Sequence, residues 1–115
     1  MITLTDIQGV DDFKMLAPKK DAIRVNNIQY LFMGMRGERP VVIRRAESGT
    51  AIELALNPNA IQFSNGTIKA IGPQAADCIR YSSMYGDEIG KKWDDVKREN
   101  TQAQAYLSIL AEAGV

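Results

Sequence analysis

Between Ala22 and Ile71 apolar and polar residues alternate with a period of two through six short runs, each separated from the next by a pair of turn-forming residues. The pairs are Asn26-Asn27, Gly37-Glu38, Ser48-Gly49, Pro58-Asn59 and Asn65-Gly66. Asn-Gly best accommodates the two positive φ angles of a type I′ turn, so Asn65-Gly66 predicts a hairpin with Phe63 opposite Ile68, Ile61 opposite Ala70, and Gln62 opposite Lys69 on the other face. Two-residue turns at the remaining pairs then set Leu56 against Ile61, Leu54 against Phe63, and Ile43 and Val41 against Leu54 and Leu56. They also set Phe32 against Ile43, Tyr30 against Ile23 and Ile28 against Val25. All five turns gather apolar side chains on one face, and a slip of one residue would send every later side chain to the other face. The pattern therefore predicts a six-stranded antiparallel β-meander over 22–71, open or curled into a small barrel. Ser48-Gly49 and Gly37-Glu38 are the weaker turn pairs, where a longer loop with a bulge is the alternative.

The flanks read as helix and arm. Residues 1–21 start with a short edge strand or extended arm at Met1–Leu4. A single helical turn follows, in which Asp11 and Asp12 cap and Val10, Phe13 and Leu16 are buried before Pro18 stops it. Gly72-Pro73 breaks the sheet, and Pro73 suits the first position of a helix through about Met84 with Ala75, Ala76, Cys78 and Ile79 available for burial. Gly86 ends that helix, and Asp87 caps a longer one running to a C-terminal glycine at Gly114. Ile89, Trp93, Val96, Asn100, Ala103, Leu107 and Leu110 recur along it at spacings of four and three, a heptad stripe with Asn100 at its centre. The same stripe suits a helix lying on its own sheet, and Tyr106, Ile109 and Ala113 widen it in that sense. The chain is thus expected to be a single α+β domain over 1–115, with an arm (1–21), a meander (22–71) and C-terminal helices (73–113).

Composition narrows the function. At 115 residues, 45% hydrophobic and 24% charged, the chain resembles an ordinary globular protein and not a disordered one. Lys+Arg and Asp+Glu number 14 each, so no net field draws it to nucleic acid or to a membrane. No apolar run reaches the roughly 18 residues of a spanning helix. A basic-then-apolar leader is not seen either, so a reducing, cytoplasmic setting is expected. The lone Cys78 excludes an internal disulfide, and the absence of histidine leaves neither a thiolate/imidazole metal cluster nor the usual general base. Cys78 reads as a small buried residue. Asp11-Asp12 and Asp94-Asp95 are neighbours that point about 100° apart on a helix, so neither pair presents two carboxylates to one atom. Glu53 falls opposite Arg44, an ordinary cross-strand pair. No catalytic, metal or cofactor residue is assigned.

What stands out is surface for association. Leu31, Met33, Met35 and Val42 share the second face of the meander, Arg36 and Arg39 mark a hairpin tip, and Asn100 sits in the helical stripe. These seven are the candidate interface residues. The expected function is that of a non-enzymatic structural or assembly protein, working with copies of itself or with other protein subunits. In size and make-up the chain is similar to small connector, tail or capsid-associated proteins of bacteriophages, by general style and not by motif, and that likeness implies a virion setting. The alternative is a small barrel that binds single-stranded nucleic acid through Arg24, Arg36, Arg39, Arg44 and Lys69 with Tyr30 and Phe32. It lacks a basic stripe, so nucleic acid is not the expected partner.

Overall fold

The computed structural model describes residues 2–82 and 93–114. Among the described residues eight strands form one open, mixed sheet: β1 (Thr3–Leu4), β2 (Asp21–Val25), β3 (Ile28–Arg36), β4 (Arg39–Glu47), β5 (Thr50–Leu56), β6 (Gln62–Ser64), β7 (Thr67–Lys69) and β8 (Ala76–Ser82). A 3-10 helix (Val10–Met15) precedes β2, and a single described α-helix, α1 (Trp93–Ala113), follows β8. The spatial order is β6-β7-β2-β3-β4-β5-β8, with β1 parallel to the start of β2. The architecture is α+β, but the sheet neither closes into a barrel nor runs as a simple meander.

Where the turns are strongly encoded the predicted register is found. Asn26 and Asn27 have φ of 53° and 66°, and Asn65 and Gly66 have 52° and 80°, the sign pattern of type I′ turns. They pair Ile23 with Tyr30, Val25 with Ile28, Phe63 with Ile68 and Gln62 with Lys69. Between them, β4 is inverted. A bulge between Phe32 and Gly34 sets Phe32 opposite Val42 in place of Ile43, and a second between Arg45 and Glu47 sets Leu54 opposite Val42 as well. The two shifts cancel, so β3 as far as Met33 and the whole of β5 keep the expected faces, while Val42 turns to the side predicted for Val41 and Ile43, and Met35 and Arg36, beyond the first bulge, exchange faces with it. Gly34, at φ 118°, is where the first bulge is taken up.

The hairpin β6-β7 does not continue from β5. Asn57 receives the backbone N–H of Asn59 on its side chain, and Ala60 N–H closes on Asn57 O, making a loop longer than a two-residue hairpin turn. The hairpin crosses to β2 instead, where Val25 pairs with Ile68. There Asn26 imitates a strand, its Nδ2 donating to Ala70 O and its Oδ1 accepting from Ala70 N, both at 2.9 Å. Leu56 and Leu54, expected against Ile61 and Phe63, face Ala76 and Cys78 of β8. The predicted helix over 73–84 is therefore a strand as far as Ser82. Pro73 serves a turn in which Ala75 N–H bonds Gly72 O, and the chain then fills the edge that β6-β7 left open. Cys78 is exposed, not buried.

Two cores lie on opposite faces. On the arm side Ile7, Phe13 and Leu16 pack over Ile23, Val25, Tyr30, Phe32, Val42, Leu54 and Ile68. On the helix side Tyr106, Leu110 and Ala113 of α1 pack over Leu31, Ile43 and Ala51. The arm takes the face predicted for the helix and the helix takes the other, because Ala51, Glu53 and Ala55 on that side leave room for a helix to approach β5. Gly114, at φ 81°, ends α1 as predicted, its N–H bonding Ala111 O, and α1 runs unbroken through Asn100 and Thr101. Met84, Gly86, Asp87 and Ile89 lie outside the described residues, as do the side chains of Trp93, Asp94, Asp95 and Val96.

Candidate functional site

The inversion of β4 breaks up the predicted apolar patch. Leu31 is fully buried beneath α1 and Met33 is packed at that core's margin, whereas Val42 is fully buried in the arm-side core. Met35 alone stays at the surface, 46% exposed. It borders a hollow of about 390 Å³ with Val10, Phe13 and Pro58, between the 3-10 helix and the β3-β4 tip.

The two arginines of that tip are both committed within the chain. Arg36 grips Glu53 with two bonds, Nη1 to Oε2 at 3.3 Å and Nη2 to Oε1 at 3.2 Å. Arg39 Nη1 lies 3.2 Å from Asp77 Oδ2 on β8. Glu53, predicted to face Arg44 across the strands, is opposite Ile43 and only 1% exposed. Arg44 lies over the Tyr30 ring, 5.7 Å from its centroid, and its Nε donates to Tyr30 Oη at 3.2 Å.

Tyr106 Oη donates to Glu53 Oε1, so both carboxylate oxygens are engaged and α1 is tied to β5 by a charge-assisted bond. Burial, reinforced by the bond to Glu53, pushes the Tyr106 phenol above its ordinary range, and Tyr81 stacks edge-on against it at 5.6 Å. The same carboxylate raises the Arg36 guanidinium, first through the hydrogen bond and then through its charge. A phenol held protonated and a carboxylate with both oxygens occupied make a clamp between helix and sheet; neither is placed to take a proton from a substrate. Asn100, 3% exposed, donates from Nδ2 to Ser82 O at 3.3 Å and accepts from Gln104 Nε2 at 3.4 Å, so its role in the stripe is to seat α1 on the end of β8. The polar cluster was hidden from the sequence by β4: with Arg44 set opposite it in place of Ile43, Glu53 read as half of an ordinary cross-strand pair.

Five of the seven residues considered for nucleic-acid stacking and contact are used otherwise, since Tyr30 and Phe32 are core, Arg44 covers Tyr30, and Arg36 and Arg39 are held by Glu53 and Asp77. No described helix is long and apolar enough to cross a membrane.

One surface feature was not foreseen at all. β8 pairs with β5 over seven consecutive residues without a bulge, and among the described residues no strand lies beyond it. Ile79 at its centre is 41% exposed. Compared with protein-family models, curated proteins and solved structures, the chain matches none of them.

Proposed function

We propose that the chain is a non-enzymatic assembly protein that works in a homo-oligomer or a larger protein complex, in the cytoplasm or, if its likeness in size to phage structural proteins holds, in a virion. The observation that carries this reading is the β8 edge. Natural sheets protect their edges with prolines, bulges, lysines or very short strands. The opposite edge follows that rule, for β6 is three residues long. β8 has seven residues, no proline, no lysine, its two charged residues Asp77 and Arg80 paired within the chain, a regular ladder and a half-exposed isoleucine at its middle, which is the form a strand takes where another chain adds to the sheet. The arginines at the β3-β4 tip support the reading in a different way, as Arg39 fastens that tip to Asp77 and holds the edge in place.

The test uses the chain in fresh lysate of cells that produce it. Size-exclusion chromatography should find it eluting well above the position of a single chain, and Ile79→Lys should return it to that position with its fold retained. Elution of the unmutated protein as a single chain even at the highest loading concentration would overturn the assembly reading.

A further inference from the structure

Resting on that reading, we infer that the strand which adds to β8 is β8 of a second copy, running antiparallel about a two-fold axis normal to the sheet. Such an axis keeps each face of one sheet continuous with the same face of the other, so a residue must meet one of its own parity. Four registers satisfy this near the middle of the strand. One opposes Asp77 to itself and another Arg80 to itself, and like charges directly opposite are unfavourable. Centring on Cys78 shortens the ladder to the stretch from Ala76 to Arg80. Centring on Ile79 alone pairs all seven residues of Ala76–Ser82, sets the two half-exposed isoleucines on each other, and puts Asp77 opposite Tyr81 and Cys78 opposite Arg80.

The charges already on the strand agree with that register. Arg80 is paired with Glu47 of its own chain and Asp77 with Arg39 of its own chain, so neither is brought to the axis as an uncompensated charge. A chain whose Lys+Arg and Asp+Glu both number 14 opposes no net repulsion to meeting its copy. Because α1 lies on one face and Tyr81 points to it from β8, the axis brings both helices to the same side of the joined sheet. Two seven-residue strands make a small interface, toward the lower end of the roughly 1,200 Å² at which stable complexes begin, so the dimer should dissociate on dilution.

The register gives a covalent test. Directly opposed residues in an antiparallel pair have Cα atoms about 4.5–5.5 Å apart, within disulfide reach, whereas diagonal neighbours are about 7–8 Å apart and beyond it. The purified Cys78→Ser/Ile79→Cys double variant should therefore form a disulfide-linked dimer under mild oxidation, and the unmutated chain should not crosslink through Cys78. Crosslinking of Cys78 with none at position 79 would overturn the register. Independently of any substitution, hydrogen exchange on the unmutated chain should show the alternate β8 amides that point away from β5 protected at high concentration and exposed on dilution, with sedimentation giving twice the mass of one chain at the high end. A purified chain that sediments as a monomer throughout overturns the self-pairing, and if the same chain still elutes as an assembly in lysate, the pairing with its own copy fails while the assembly reading stands.

Discussion

The two faces of the sheet are covered by different means. On the arm side an irregular segment, held by one 3-10 helix and a few backbone bonds, seals a core made almost wholly of aliphatic and aromatic side chains. On the helix side a long regular helix seals a smaller apolar core and carries a buried carboxylate, a phenol and an asparagine with it. Non-directional burial suffices to hold an arm against a strongly apolar face. A helix over a face whose middle strand offers Ala51, Glu53 and Ala55 gains less from burial, and its position is fixed by directional bonds instead. The arm-side core should therefore dominate stability, and the helix-side cluster should dominate how α1 is placed.

The largest effect should come from emptying the arm-side core. Phe32 is 2% exposed and sits between Tyr30, Val42 and the arm's Phe13 and Leu16 in one cluster, so Phe32→Ala should cost about 3–5 kcal/mol in chemical denaturation. A cost below that of any change in the Glu53 cluster would reverse the ranking of the two faces.

Next in size is Tyr106→Phe, at about 1–2 kcal/mol, since it leaves a lone pair of Glu53 unserved in a place with little water. It carries a pH signature that the arm side lacks. The phenol's folded pKa lies above its ordinary 10.0, so Tyr106 contributes stability that is fully present below pH 10.0 and is lost as pH rises toward the folded value. The unmutated protein should lose stability on the alkaline side of pH 10.0, and Tyr106→Phe should flatten that limb. Equal alkaline slopes would mean the phenol is not held as described.

How much of this was legible follows from how locally each feature is encoded. The hairpins at Asn26-Asn27 and Asn65-Gly66 and the end of α1 at Gly114 rest on residues that tolerate positive φ, and those residues are written at the position itself. The 3-10 helix before Pro18 and the burial of Phe13 and Leu16 were likewise readable in place, but Val10, expected to be buried with them, is 44% exposed, and the helix starts from Gly9 with no side-chain cap in place of Asp11 or Asp12. β4 was not, because its inversion depends on two bulges. The weak turn pairs Gly37-Glu38 and Ser48-Gly49 each left a bulge open, and a glycine at position 34 within a strand pattern marked the first, but neither sign fixes which way β4 faces. The second lies beside Ser48-Gly49, where only Gly49 has a positive φ and the twist of a primed turn is missing. With β4 read backwards, Leu31, Met33, Met35 and Val42 formed a patch that does not exist, and Glu53 was given Arg44 for a partner. The exchange of edges was beyond local reading altogether. Gly72-Pro73 opens a helix or a turn equally well, and only the departure of β6-β7 to β2 leaves β5 in need of β8.

A finer division, within the helix-side face itself, can be drawn with the two tip arginines, which differ in what they leave behind. Both lie on the helix side and both reach a carboxylate at 3.2 Å, so by distance alone they are equivalent. Glu53 is nearly inaccessible, and removing Arg36 strips it of two hydrogen bonds where water cannot fully replace them. The Arg36 side chain is itself 59% exposed, which limits the gain from its charge, so Arg36→Ala should cost about 1 kcal/mol. The Asp77 side chain is 68% exposed and rehydrates when Arg39 is removed, so Arg39→Ala should cost under about 0.5 kcal/mol. Measured side by side in denaturant at low and at high salt, Arg39→Ala should merge with the parent as salt rises while Arg36→Ala keeps most of its deficit, because a buried acceptor is screened far less than an exposed one. Equal costs at both salt concentrations would show that the Glu53 clamp is no more than a second surface pair, and that the helix-side face owes its order to packing alone.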